Sequence, residues 1–386
     1  MLPLDGIRIL DLTWYLPHTT ILADFGAEVI KIEPPKRGDP ARLAPPLIRG
    51  VSAYFVNAHR NKKSVTLNLR SDKGREIFYR LVKTADVVIE SFRPDVTKRL
   101  GIDYDTLKNV NPRIIYVSVT GYGQAGPYRD LPGHDINYIS IAGILGLTGP
   151  YRGPPVIPGV QIADYTACML AAIAILIALR ARDKTGKGQY IDISMAHGAL
   201  WLLIPFTSEY FMTGKAPERG RHFLTGYYPF YNIYETSDGK YISIGCLEEH
   251  FWRNLCKALG REDLAGLQWD EEKREEVMKQ LQEIFKTKTR DEWFKLLRDA
   301  DVPIAPVYSL DEVFNDPQIQ YRKVIEEVEH PEIGKVRVLR IPVEFSETPS
   351  RIRGPAPMLG QHTKEILKEL GYSDREIEEF EKEGIV

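Results

Sequence analysis

At 386 residues the chain exceeds what one hydrophobic core usually organises, so two domains are expected. Its 51 Lys and Arg nearly balance 53 Asp and Glu, with no long block of one sign, which argues against nucleic acid or a membrane surface as partner. Three cysteines (Cys168, Cys246, Cys256), odd in number and without CxxC spacing, fit a reducing cytoplasm better than disulfides or zinc.

The opening MLPLDGIRILDLTWY reads as a strand rather than a signal peptide, because charged residues interrupt the apolar run. Strand-like runs then alternate with amphipathic helices through the first 200 residues, the pattern of a parallel sheet covered on both faces. IRILDL leads to a helix over TTILADFGA and then to EVIKIE; SVTLNL leads to a helix opened by Ser71 and then to DVVIES; RIIYVSVTG follows a further short helix. An apolar run from Ala167 to Leu179 lies within a helix expected over Tyr165 to about Arg182. That run is shorter than the roughly 20 residues needed to span a bilayer, so it reads as a buried core helix. The turn DKTGKGQ returns to YIDIS, and one long helix is expected from about Met195 to Phe211.

Beyond residue 213 both periodicities fade in a glycine-rich, basic stretch. YNIYETSDGKYISIG then reads as a hairpin around Ser-Asp-Gly, followed by three helical segments, with capping-box starts at Thr289/Glu292 and Ser309/Glu312. The chain thus divides into a large α/β domain over 1–212, completed by about 330–386, and a small α+β domain over 225–318, with linkers at 213–224 and 319–329. The C-terminal EKEGIV matches no retention or lipidation signal.

GYGQAG (Gly121 to Gly126) matches G-x-G-x-x-G, but Pro127 and RDLPG follow where a dinucleotide-binding helix should open. It reads as a loop at the C-terminal end of a strand, where open α/β sheets bind ligands. Arg60, Lys62, Lys63 and Arg70 flank SVTLNL, and Arg93 and Arg99 follow DVVIES; converging strand ends would make an anion site, the alternative being solvated surface charge. His134 and Asp135 follow a proline-glycine loop, where a side chain can be held over the sheet edge. Asp164 precedes the apolar helix as an N-cap would, and first-turn amides there could stabilise an oxyanion. Glu248 in GCLEEHF also opens a helix.

ADFGAEVIKIE, NKKSVTLNL, ESFRPDV, GYGQAGPY, GHDINY, TGKGQYIDISM, GCLEEHF and LGQHTKEIL together resemble the family III CoA-transferase superfamily, nearly end to end. Within it, GHDINY and GCLEEHF look most like alpha-methylacyl-CoA racemases. The resemblance implies a large Rossmann-like domain with an open parallel sheet, a smaller α+β domain, and an interlocked homodimer. It also implies a racemase of 2-methylacyl-CoA thioesters, in which His134 and Asp164 act as bases on opposite faces of the α-carbon. Glu248 and Asp135 would orient His134, and amides of the Asp164 helix would stabilise the enolate. CoA would lie against Leu67, Arg70, Ser91, Phe92, Arg93 and Arg99, with Gly133 to Tyr138 along the pantetheine and thioester; no metal or redox cofactor is implied. The alternative is a family III CoA-transferase, in which Asp164 is the nucleophile that forms an acyl anhydride. A third reading is a CoA-ester-binding protein without catalysis, which would not need His134, Asp164 and Glu248 together. Two departures from the family pattern, WYLPHTT after the first strand and Glu249 beside Glu248, bear on the expected shape of the substrate pocket more than on the chemistry.

Overall fold

The computed structural model describes residues 1–386. It contains two compact units: Met1–Ala142 with Val160–Leu202 and Arg322–Val386, and Gly143–Gly159 with Leu203–Tyr321.

The first unit is built on strands β1 (Arg8–Leu12) and β2 (Glu28–Glu33), a two-residue hairpin of β3 (Leu47–Ile48) and β4 (Val51–Ser52), then β5 (Lys62–Thr66), β6 (Val87–Glu90), β7 (Ile115–Thr120) and β8 (Tyr190–Ser194). Six of these form one parallel sheet in the order β5-β2-β1-β6-β7-β8. The strand order reverses between β1 and β6, the switch point at which open α/β sheets leave a crevice.

Side chains alternate between the sheet faces, which divides the core in two. Leu10, Ile30, Val65 and Val88 turn to one face and pack with Phe78 of helix Asp72–Thr84, Leu107 of helix Tyr104–Val110, and Ile366 and Phe380 of the C-terminal helices. The C-terminal segment therefore belongs to this layer. The other face of the sheet carries the buried charged side chains of Asp11, Lys31 and Lys62. The long helix Ile162–Thr185 packs on β7 and β8. Its buried Ala163, Ala167, Ala171, Ile175 and Ala178 recur at helical spacing, and the alanines allow close approach. At 24 residues this helix is long and apolar enough to cross a membrane, so length alone does not exclude a span; half of its apolar window is buried within the protein.

The helix expected over 195–211 is two helices, Met195–Trp201 and Ile204–Thr213. Pro205 stands in the first turn of the second, the position a helix start tolerates and an interior does not. The break coincides with the boundary at Leu202/Leu203, so residues 203–212 belong to the second unit rather than the first. Residues 143–159 also belong there: the Arg219 guanidinium donates to the carbonyls of Gly146 (3.0 Å) and Gly153 (2.6 Å), and Tyr151 meets Tyr227 edge-on at 5.2 Å.

The second unit holds an antiparallel sheet of β9 (Tyr231–Glu235), β10 (Tyr241–Gly245) and β11 (Ile304–Val307) in the order β11-β10-β9. Its core gathers Phe230, Trp252, Leu281, Phe285 and Trp293. Both capping boxes form, with the Thr289 amide donating to Glu292 (2.8 Å) and the Ser309 amide to Glu312 (3.1 Å). Residues 319–329 are not a bare linker, because they include most of β12 (Ile325–His330), which pairs with β13 (Gly334–Leu339).

Candidate active site

A cleft of about 1800 Å³ follows the C-terminal edge of the parallel sheet. The segments that leave β1, β2, β5, β6, β7 and β8 all reach it, through Tyr15, Arg37, Arg70, Arg93, Tyr122 and Met195 respectively. This volume exceeds the roughly 300–1,000 Å³ of a compact ligand site and suits an extended molecule.

One set of lining residues is cationic: Lys36, Arg37, Arg70, Arg93, Arg99 and Arg129. Arg129 is paired with Asp95 (2.6 Å), whereas the other five have no carboxylate partner. Leu67, Ser91 and Phe92 line the same cleft. Arg60, Lys62 and Lys63 do not. Arg60 is tied to Asp24 (2.5 Å), Lys62 to Asp11 (2.9 Å), and Lys63 to Glu28 (2.9 Å) and Glu365 (2.7 Å). They lie at the start of β5, away from the C-terminal end that reaches the cleft, and serve the fold.

His134, Asp164, Gly133 and Tyr138 also line the cleft. His134 is the N-cap residue of helix Asp135–Ile141, where its amide donates to Asn137 Oδ1 (3.0 Å), leaving the imidazole exposed. Asp164 is the third residue of the long helix, not its N-cap, which is Gln161. The acceptor for that helix start comes from elsewhere: Asp135 Oδ1 accepts from the amides of Ala163 (2.7 Å) and Asp164 (3.3 Å). Asp135 is therefore buried beneath the site as a helix cap rather than an orienter of His134. It also occupies two of the amides that an oxyanion would have used.

This arrangement tunes Asp164. Burial, and then the negative charge of Asp135, push its pKa up to about 6, while His134 pulls it down. Burial and the nearby Asp164 likewise push the Tyr138 hydroxyl up to about 12, so it stays a donor, and it donates to the Gly133 carbonyl. The Tyr138 ring explains two glycines. A Cβ at Gly121 would run into it, and one at Gly133 would lie 2.7 Å from its Cε1. Gly121 thus leaves room for a tyrosine and is not part of a dinucleotide loop, and no helix opens after the motif until Asp135.

Glu248 belongs to the second unit, where it is the exposed N-cap residue of helix Glu249–Ala258 with no side-chain cap. Sequence reasoning passed over several lining residues: Lys36 and Arg37, and the aromatic Trp14, Tyr15, Tyr54, Tyr122 and Tyr165. The two cations had a signal, since EPPKRGDP follows a strand as the other basic segments do. The tyrosines had none, because a lining ring and a core ring look alike in sequence.

The match to the family model described as CoA-transferase family III covers residues 4–363. The chain is 35% identical to the human succinyl-CoA:glutarate CoA-transferase, covering all of this chain and 90% of that protein. It is equally 35% identical to the β subunit of the succinyl-CoA–L-malate CoA-transferase of Chloroflexus aurantiacus, over all of this chain and 98% of that one. Among solved structures, a CAIB/BAIF family protein from Brucella suis matches with a TM-score of 0.84 at 34% identity, covering 96% of this chain and 99% of that one. The orthorhombic form of Rv3272 from Mycobacterium tuberculosis matches with a TM-score of 0.80 at 28% identity, over 94% of this chain and 98% of that one. With the fold, the cleft and these relatives in agreement, the chain belongs to CoA-transferase family III.

Proposed function

We propose that this protein transfers CoA between carboxylic acids, with Asp164 as the nucleophile. The observation behind it is a half-buried carboxylate, Asp164, lining the same cleft as five unpaired cations. Those cations suit the phosphates of CoA, to which exposed guanidinium and ammonium groups donate charge-assisted hydrogen bonds. The ionised Asp164 attacks the thioester carbonyl, the C–S bond breaks, and a mixed anhydride forms as CoA thiolate leaves. The thiolate then attacks the Asp164 carbonyl of the anhydride and frees the first acid; a second acid runs the same steps in reverse. Relatives named for succinyl-CoA transfer to glutarate or L-malate support this reading.

A second reading, racemisation of 2-methylacyl-CoA, is favoured by His134, which lines the cleft together with Asp164. Two bases facing one α-carbon are what proton removal and return on opposite faces require. In this reading Glu248 orients His134, and a homodimer is the assembly that brings them together.

One experiment separates the two. The protein is incubated in deuterium oxide with a (2R)-2-methylacyl-CoA, and separately with succinyl-CoA and a panel of acceptor acids. Transfer predicts acceptor-CoA esters, hydroxylamine-trappable acyl-enzyme, and loss of about 10³-fold or more in Asp164→Asn. Racemisation predicts α-deuteration with loss of configuration in the absence of any acceptor, abolished by His134→Gln as well. Neither product from either incubation would overturn both readings.

A further inference from the structure

Strand β6 is paired on both sides, with Glu90 opposite Leu12 of β1 and Ser118 of β7, and the chain turns into the cleft directly after it. Ser91, Phe92 and Arg93 all line the cleft. Glu90 closes that turn with its own side chain: one carboxylate oxygen accepts from the Phe92 amide (2.7 Å), the other from the Ser118 hydroxyl. The Phe92 ring packs on the core face that holds Leu67, Phe78 and Tyr116, while Ser91 Oγ accepts from the Trp14 amide (3.0 Å). The Arg93 carbonyl then accepts from the Val96 amide (3.2 Å), at the start of helix Val96–Leu100, which carries Arg99. Both unpaired arginines of this segment are therefore placed by a turn that Glu90 sets.

Core packing does not account for an acid at this position. Glu90 is 1% exposed and forms no ion pair; the charge that acts on it is that of another acid, Asp192. Burial, with Asp192 adding to it, pushes the carboxyl up to about 7, against the hydrogen bonds from Ser118 and Phe92. Asp11, equally buried, differs in having Lys62 at 2.9 Å. A buried carboxyl without a cation costs stability, so hydrophobic packing alone would favour an apolar residue. What the acid does achieve here is to fix an amide two residues on, next to a cation that lines the cleft.

We propose that Glu90 is a positioning residue for CoA: by holding the Phe92 amide it sets the turn that presents Arg93 to the phosphates. This rests on the CoA-thioester reading above. The test is calorimetric titration of the full-length protein and its variants with free CoA. Glu90→Leu fills the space but accepts no hydrogen bond, and should weaken binding about tenfold. Glu90→Gln keeps an acceptor for the Phe92 amide and should stay within about threefold of wild type. Coupling separates positioning from a general loss of structure. In Glu90→Leu the further cost of Arg93→Ala should fall to about threefold or less, whereas Arg70→Ala, beyond β5, should cost the same factor in both backgrounds. Ser118→Ala frees the other carboxylate oxygen and should show the same selective coupling to Arg93, at smaller size, if Glu90→Leu folds poorly. An Arg93→Ala cost that is the same in every background, or a Glu90→Gln as weak as Glu90→Leu, with CoA bound by the wild type, overturns the inference alone. A wild-type protein that binds no CoA overturns the thioester reading and the inference with it.

Discussion

Two sets of cations serve the parallel sheet, and what separates them is pairing. Lys31, Arg60 and Lys62 lie buried, each within 3 Å of a carboxylate: Asp39, Asp24 and Asp11 respectively. Lys36, Arg37, Arg70, Arg93 and Arg99 line the cleft at the strand ends and have no such partner. Identical residue types, a few positions apart in sequence, hold the fold in one place and stand unpaired along the cleft in the other. A buried cation must be matched within the protein because desolvation is costly, whereas an exposed one can leave its matching to a ligand.

The largest effect should come from breaking a buried pair. Lys62→Met strands the fully buried Asp11, whose carboxyl, despite burial, Lys62 and Lys31 hold well below the usual range. A loss of about 3–5 kcal/mol in unfolding free energy is expected from denaturant titration. A small loss would mean that Lys31, Thr13 and Thr19 suffice to hold the charge.

The unpaired set should behave in the opposite way. Arg93→Ala or Arg99→Ala should weaken CoA-ester binding by about 1–3 kcal/mol and change stability by less than about 0.5 kcal/mol. Because these side chains are exposed, the same affinity should fall as salt is raised. Full affinity in both variants would remove the cationic strand ends as the CoA site.

The smallest expected effect is a shift in pH dependence. The transfer reading needs ionised Asp164 as nucleophile, so transfer activity should rise through an apparent pKa of about 6. Asp135→Asn keeps an acceptor for the Ala163 amide but removes a negative charge, so it should move that limb to lower pH; His134→Gln should move it higher. The sign for stability is reversed. A raised carboxyl favours the protonated fold, so its contribution is present below the unfolded carboxyl value and fades as pH climbs through about 6. Limbs that do not move in either variant would detach Asp135 and His134 from Asp164.

The alternation of strands and helices, the parallel sheet, the antiparallel hairpin and both capping boxes were legible in sequence, because each follows from periodicity or from a cap three residues long. Arg70, Arg93, Arg99, His134 and Asp164 were likewise legible as residues at strand ends or helix starts, and the structure brings them to one cleft. What only the tertiary structure decided depends on groups far apart in sequence. Asp135 reaches 28 residues on to cap the long helix, so Asp164 need not; Asp11 meets Lys62 across 51 residues; Arg219 draws 143–159 into the second unit. Local patterns fix which element forms. Which charges find partners, and which are left facing a ligand, is settled only when strands that are distant in the chain become neighbours in the sheet.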